Sequence, residues 1–523
     1  MMNAASDSEN VRGKLRTVLL LDPELDDLNT LIRYLLYSDQ FDTEALIYQS
    51  SMFHWRGDGK GTLHEGLSEH VRLGLGPLPS WRWDEGTRFM EDAVDAYALV
   101  YPNLKVHSEG YPSPEELRSK IFGGNVEFPG DMSKDSPGSN RIKSLILDDK
   151  PGKLYLLSGA GQSTIGRALK SIEDDFRHTD QWDHIYRRIC NKVIIFAFGD
   201  QDGVYPGYIA PQWPDIEYRD VQSNMWGYGA YQSVLTQDAH YLSAAWTREN
   251  VSGVGPLGAL YRVWGDGKRM HKADITDFFG HSGLTVEQLE QLGYFVWYKY
   301  LGQELGEAGS WISEGDTPVY LNLLNNGLDA HLDASYGGWG GRNGPDVEPD
   351  GKTSRNYAVA RWFGAAQRDF AARLRWSVTP RYEEANHAPV VELISPEHNP
   401  MTVRPGQTVI LKARVSDPDG DHVEGRWWRY YEADTYPGDV ELKSDSGKQD
   451  SAVHKYAYPI DIPEPGSAEL CHLVQSDRVI SCELKIPHDA ADGQTLHLIL
   501  EASDLGTPKL TSYRRVVLTV SRE

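Results

Sequence analysis

Three aspartates within six residues, Asp22, Asp26 and Asp27 of the string Asp22-Pro23-Glu24-Leu25-Asp26-Asp27, stand where an apolar run gives way to a helical pattern. Carboxylates that close repel one another, and a hard divalent cation with oxygen ligands removes the repulsion. Ca2+ accepts several carboxylates in flexible geometry, so the cluster reads as a metal site. Beside it stands the plainer reading in which Asp26 caps the helix, Asp27 supports its dipole and Asp22 faces water.

The elements around the string decide where it can act. Thr17 to Leu21 form a continuous apolar strand, and Leu28, Leu31, Ile32, Leu35 and Leu36 follow at the spacing of one buried helix face. Glu44 to Tyr48 make the next strand. Strand, helix and strand in that order predict a parallel pair joined by a right-handed crossover. The unit recurs with a strand at Leu154 to Leu157, a helix face at Ile165, Ala168, Leu169 and Ile172, and a strand at Val193 to Phe198. An open, mostly parallel, doubly wound α/β sheet follows, and in such sheets ligands bind beyond the carboxyl ends of the strands. The loops starting near Asp22, Gln49, Ser158 and Gly199 should therefore share one crevice.

The pattern changes at the stretch NHAP, Asn386 to Pro389. Beyond it Thr408 to Val415, Glu424 to Tyr431, Leu496 to Ala502 and Arg514 to Val520 read as short strands separated by turn signals, as in a β-sandwich. The predicted organisation is a polar tail over 1–15, an α/β domain over 16–385 and an all-β, immunoglobulin-like sandwich over 386–523. In the sandwich, alternation along Trp427, Trp428, Tyr430 and Tyr431 sends one aromatic pair to the core. The other pair either forms a platform for a polysaccharide or is covered by the neighbouring domain. Asp417, Asp419 and Asp421 in SDPDGD have donors for a second Ca2+, although a solvated turn is the favoured reading.

The chain has 523 residues, 52 Lys plus Arg against 76 Asp plus Glu, and a net charge of -24. That balance disfavours nucleic acid phosphates and anionic lipid surfaces as partners. No run of eighteen apolar residues occurs, so no membrane span is expected. Only three cysteines are present, which excludes a disulfide framework or a thiolate zinc site; Cys471 and Cys482 are either one bridge or two thiols. Residues 1–16 are polar and lack an apolar h-region, so the chain as given shows no secretory signal peptide, and a signal already removed would leave the same start.

The acidic string resembles the metal motif of nucleoside hydrolases, Asp-Pro-Gly-x-Asp-Asp, with Glu24 in place of the glycine and Leu20 where those enzymes usually carry a further aspartate. Gly161-Gln162-Ser163-Thr164 looks like the loop that lends a backbone carbonyl to the metal, and Asp316 looks like the late aspartate ligand. Gly315 occupies the place of a catalytic histidine. Over nearly its whole length the chain is similar to the bacterial and fungal cellulose-binding-protein family, in which a nucleoside-hydrolase-like domain precedes an immunoglobulin-like sandwich. The marks are LDPELDDLNTLIRYLLYS from Leu21, FHWRGDGKGT from Phe53, GYPSPEELRS from Gly110, YGGWGGR from Tyr336, the NHAP junction and IPHDAADGQTLHLILEASDLGTP from Ile486.

The resemblance implies a Ca2+ held by Asp22, Asp27, the Ser163 carbonyl and Asp316, with a carbohydrate glycosyl bond as the target. Asp22 would take a proton from water and Asp26 would hold a sugar hydroxyl. His54 is the expected proton donor, with Asp58 and Glu314 as the other candidates near the substrate. Trp55 and Trp339, in family-like loops at the crevice, are expected to stack on sugar rings. The rival expectation is a carbohydrate-binding protein without catalysis, and a third is nucleoside hydrolysis. The family implies an extracellular setting, and its relatives often self-associate, which leaves a homo-oligomer open.

Overall fold

The computed structural model describes residues 13–444 and 478–523, apart from positions 67, 222, 223, 273 and 349. Six strands, β1 (Leu15–Leu21), β2 (Phe41–Tyr48), β3 (Ile121–Gly123), β4 (Leu154–Ser158), β5 (Val193–Ala197) and β6 (Glu217–Asp220), form one parallel sheet in the order β3-β2-β1-β4-β5-β6. The main flanking helices are α1 (Leu25–Leu36), α2 (Phe89–His107), α3 (Pro137–Leu147), α4 (Ser163–Phe176), α5 (Trp182–Lys192) and α6 (Phe363–Val378).

The central sheet is buried on both faces because Val18 to Leu21, Ala45 to Tyr48, Leu154 to Leu157 and Val193 to Ala197 run apolar without a break. Leu19 and Leu21 of β1 feed a core shared with α1, α2 and α6, while Val18 and Leu20 feed one shared with α3, α4 and α5. Each fully buried Leu or Ile contributes roughly 1.5–3 kcal/mol relative to exposure. The helical positions read from spacing on α1 and α4 are buried, each set in its own core.

Strand order reverses between β1 and β4, and the loops leaving these strands and their neighbours meet there. Gln49 N–H donates to the Leu21 carbonyl, Gly159 N–H to Leu20, Gly161 N–H to Ser50 and Met52 N–H to Gln201. The four loops expected to share a crevice are thus joined to one another by backbone hydrogen bonds.

A two-stranded ribbon, β7 (Asp346–Val347) with β8 (Thr353–Ser354), precedes α6. After the NHAP stretch come β9 (Val390–Ser395), β10 (Met401–Val403), β11 (Thr408–Ser416), β12 (Val423–Arg429), β13 (Leu442–Ser444), β14 (Arg478–Lys485), β15 (Thr495–Asp504) and β16 (Thr511–Val520). They form two four-stranded sheets, β10-β16-β15-β12 and β13-β14-β11-β9, over a core that includes Val409, Leu411, Leu484, Leu498 and Val516. Along β11 buried and exposed residues alternate strictly, which marks one face as core.

Two readings left open for this domain are resolved by its packing. Strand β12 ends at Arg429, and Trp428 and Tyr430 pack on Trp362 with ring centroids 6.0 and 5.9 Å apart, so the neighbouring domain covers them and no aromatic platform faces solvent there. Asp417 accepts the N–H groups of Asp419 and Asp421, and Asp419 pairs with His387, so SDPDGD is a self-bonded turn. Cys190 and Cys482 are free thiols, and Cys471 lies outside the described residues. Among the described residues no helix is long and apolar enough to cross a membrane.

The two domains share a polar, buried seam. Asp346 accepts from Arg342 Nε, Arg361 Nη1 and Tyr430 OH. The guanidinium of Arg515 on β16 donates to the carbonyls of Leu328, Tyr336 and Gly337. Backbone amides of Tyr513 and Arg515 donate to Asn326 and Gly327, and a methyl group on Gly327 would fall 1.7 Å from the Tyr513 carbonyl oxygen. Only glycine fits that approach.

His497 lies in this seam, its Nδ1 accepting from Arg515 Nη1 at 3.0 Å. Burial first, and the Arg515 charge second, push its pKa down to about 3. The unfolded chain protonates such a ring near pH ~6.5, so the contribution of neutral His497 is complete above that value. It falls by about 1.4 kcal/mol per pH unit as pH drops toward the folded pKa. His497→Gln is expected to flatten this acid limb, measured as the difference between wild-type and variant urea-denaturation free energies between about pH 7 and pH 4.5.

Candidate functional site

The acidic string occupies the junction between β1 and α1. Pro23 keeps Asp22 extended, Glu24 is the residue before the first turn of α1 with φ -95° and ψ 157°, and Asp26 and Asp27 lie in that first turn. The helix N-terminus favours negative charge there. Asp27 Oδ1 accepts the Asp22 N–H at 3.0 Å, which folds the string back on itself.

The partner segment comes from residues 313–317, and a deep ion pair fixes it. Arg33 on α1 grips Glu314 through Nε–Oε2 at 2.6 Å and Nη2–Oε1 at 2.9 Å, both side chains fully buried. Ser313 Oγ and Gly315 N–H then donate to Asp26 Oδ2 at 3.1 and 3.2 Å. Asp316 reaches the cluster, sharing a hydrogen bond with Asp27 and feeling the charges of Asp26 and Asp22. The backbone of the loop leaving β4 approaches it from the other side, since a methyl group on Gly159 would lie 2.8 Å from Asp316 Cβ.

His54, 0% exposed, closes the remaining side, with Nδ1 3.3 Å from Asp22 Oδ1 and 3.5 Å from Glu24 Oε2. Tyr228 OH donates to the other Glu24 oxygen at 3.0 Å. The carboxylates are almost sealed from solvent, with Asp22 at 1%, Asp27 at 2% and Asp316 at 4% exposure.

Burial, with the neighbouring carboxylates adding to it, pushes Glu24, Asp27 and Asp316 well above the usual carboxylate range. Asp26 is pushed up to about 6 by burial, against the opposing hydrogen bonds of Ser313 and Gly315. Both Asp22 carboxylate oxygens, Asp26 Oδ1 and both His54 nitrogens are buried without a hydrogen-bond partner. Buried polar atoms are nearly always paired, so this group has the chemistry of a cation pocket: converging oxygens, excess negative charge and unused lone pairs.

Several expected site residues stand elsewhere. Ser163 is the first residue of α4. Its N–H and that of Gln162 go to Asp202, whose carboxyl is raised to about 6 by burial and by Asp200. The helix N-terminus therefore holds the protein's own carboxylate. Glu314 is committed to Arg33. Asp58 bonds within its own turn, to Lys60 N–H and Thr62 Oγ1. Trp55 is 0% exposed, packed among His64, His70 and Phe128, and Trp339 is 2% exposed within the main core; neither offers a face to a sugar. Glu24 and Tyr228 join the cluster although sequence reasoning treated Glu24 only as a departure from glycine. Its extended position two residues after Asp22 is the signal that could have placed it.

Residues 16–343 match the family described as cellulose-binding Sde182, nucleoside hydrolase-like domain, and residues 408–520 match the cellulose-binding protein Sde0182 C-terminal domain. A nucleoside hydrolase-related hypothetical protein from Saccharophagus degradans, described as associated with carbohydrate metabolism, is 23% identical over 97% of this chain and 100% of its own, with a TM-score of 0.64. The SrpA adhesin of Streptococcus sanguinis, 11% identical, covers 26% of this chain and 57% of its own with a TM-score of 0.16, too low to inform the fold. No curated protein matches the chain.

Proposed function

Because this chain belongs to the cellulose-binding Sde182 family, whose N-terminal domain is nucleoside hydrolase-like, we propose that it binds a cellulose-like polysaccharide and keeps the acidic pocket as a divalent-ion site without cleavage. Gly315 carries this reading. The resemblance implies a catalytic histidine at this position, which here has no side chain; a Cβ would fall 2.6 Å from Asp26 Oδ2, so Asp26 would have to move to admit one. The closure of the pocket supports it too, because a sugar ring reaches these carboxylates only after the surrounding loops move. Asp22, Asp27 and Asp316 are the residues that would hold the ion, and an all-carboxylate set suits Ca2+. There the ion would relieve the repulsion and fasten the end of β1, the start of α1 and the 313–317 segment together.

Hydrolysis of a glycosyl bond is the second reading, favoured by the 3.3 Å approach of His54 Nδ1 to Asp22 Oδ1. In it the ion would supply an acidified water and a hold on sugar hydroxyls. Asp22 would accept the proton, Asp26 Oδ1 would orient a hydroxyl and His54 would protonate the departing group.

Sedimentation with microcrystalline cellulose, run with and without chelator alongside reducing-end assays on oligosaccharide and nucleoside panels, separates the two. The expected result is co-sedimentation without released sugar, with Asp22→Asn lowering Ca2+ affinity by about 10–100-fold. Reducing ends that vanish both with chelator and in Asp22→Asn would sink the binding-only reading and establish the second.

A further inference from the structure

The pocket contains more donors than one carboxylate-bound ion uses. Asp22, Glu24, Asp26, Asp27 and Asp316 bring five carboxyl groups into mutual electrostatic contact, and a single divalent ion offsets two charges. One atom each from Asp22, Glu24 and His54 lie within 4.8 Å of one another, and so do atoms from Glu24, Asp26 and Asp27. The first group differs in kind because it includes an imidazole.

His54 is fully buried, and neither ring nitrogen has a hydrogen-bond partner. A proton shared between His54 Nδ1 and Asp22 would make an aligned hydrogen bond, yet the 3.3 Å approach lacks that alignment. Two donors bound to one ion at about 2.1 Å sit about 3.0–3.4 Å apart in octahedral or tetrahedral arrangements. The observed separations from Nδ1, 3.3 and 3.5 Å, are close to that edge length. Glu24 is oriented for the role, since Tyr228 holds Oε1 and leaves Oε2 on the His54 side.

We propose that Asp22, Glu24 and His54 form a second ion position, adjoining the carboxylate site, which takes a first-row transition divalent ion such as Co2+, Mn2+ or Zn2+ in preference to Ca2+. Imidazole nitrogen suits those ions and adds a ligand without adding charge, whereas Ca2+ prefers oxygen. The position goes beyond the Ca2+ reading and stands or falls separately from it.

The test uses the full chain stripped of metal and titrated with Co2+, followed by visible absorbance, with Ca2+ absent or saturating. Co2+ is expected to bind in both conditions, and His54→Ala to weaken it by at least about 10-fold while changing Ca2+ affinity less than about twofold. Pulsed electron paramagnetic resonance of wild-type protein loaded with Mn2+ should show coupling to an imidazole nitrogen, a readout that does not depend on the variant folding. One-for-one displacement of Co2+ by Ca2+ with no nitrogen coupling would overturn the second position and leave the Ca2+ reading intact. Co2+ binding with nitrogen coupling but no Ca2+ binding would do the reverse, and failure of every ion to bind would end both.

Discussion

Arg33→Met is expected to lower the unfolding free energy by about 3–5 kcal/mol, because it strips the counter-charge from a carboxylate that has no access to water. Arg33 and Glu314 are both 0% exposed, and the guanidinium also donates to the Ala366 carbonyl and to Gln367 while lying 3.7 Å from the Phe370 ring centroid. Burial pulls its pKa down, and the Glu314 charge more than restores it, so Arg33 stays charged. Arg33→Met/Glu314→Leu, which removes both charges, should recover much of the loss. Urea denaturation of the two singles and the double measures this; equal losses in Arg33→Met and the double would contradict it. Glu314 is adjacent to Gly315 and Asp316, so ion affinity should fall in Arg33→Met as well.

Asp346→Ala is expected to cost a similar ~3–5 kcal/mol at the domain seam, since Arg361 would be left buried without its nearest carboxylate. Asp346 takes the 3.0 Å contact from Arg361 Nη1 and the 2.7 Å bond from Tyr430 OH, and the latter ties β7 to the sandwich beside the Val347 N–H bond to Glu432. Glu432, 3.5 Å from Arg361, offsets only part of the loss. Limited proteolysis together with denaturant titration reads the effect, and a loss below about 1 kcal/mol would place Asp346 among ordinary surface pairs.

The sheet was legible because its signals are local. A continuous apolar run at Thr17 to Leu21 and a 3.6-residue period from Leu28 to Leu36 need no distant partner to be read, and both fall in the expected elements. The acidic string was legible for the same reason, since a strand-to-helix junction is visible in sequence. What failed depended on pairing across long separations. Whether Glu314 faces the pocket or the helix is decided by Arg33, 281 residues earlier. Trp339 between two glycines and Trp55 in a glycine-rich loop read as exposed, yet Trp55 is roofed by Phe128, His64 and His70, residues that no periodicity ties to it. Tyr430 changes role because β12 stops one residue before it and the neighbouring domain supplies Trp362.

The contact in which β16 lays its backbone against Asn326 and Gly327 bears on how such a protein can change over time. Accessory modules that travel between enzymes by recombination hang from exposed, tolerant tethers. Here the last strand is hydrogen-bonded into a turn of the larger unit at a spot that admits no side chain, so an exchanged module would arrive without its socket.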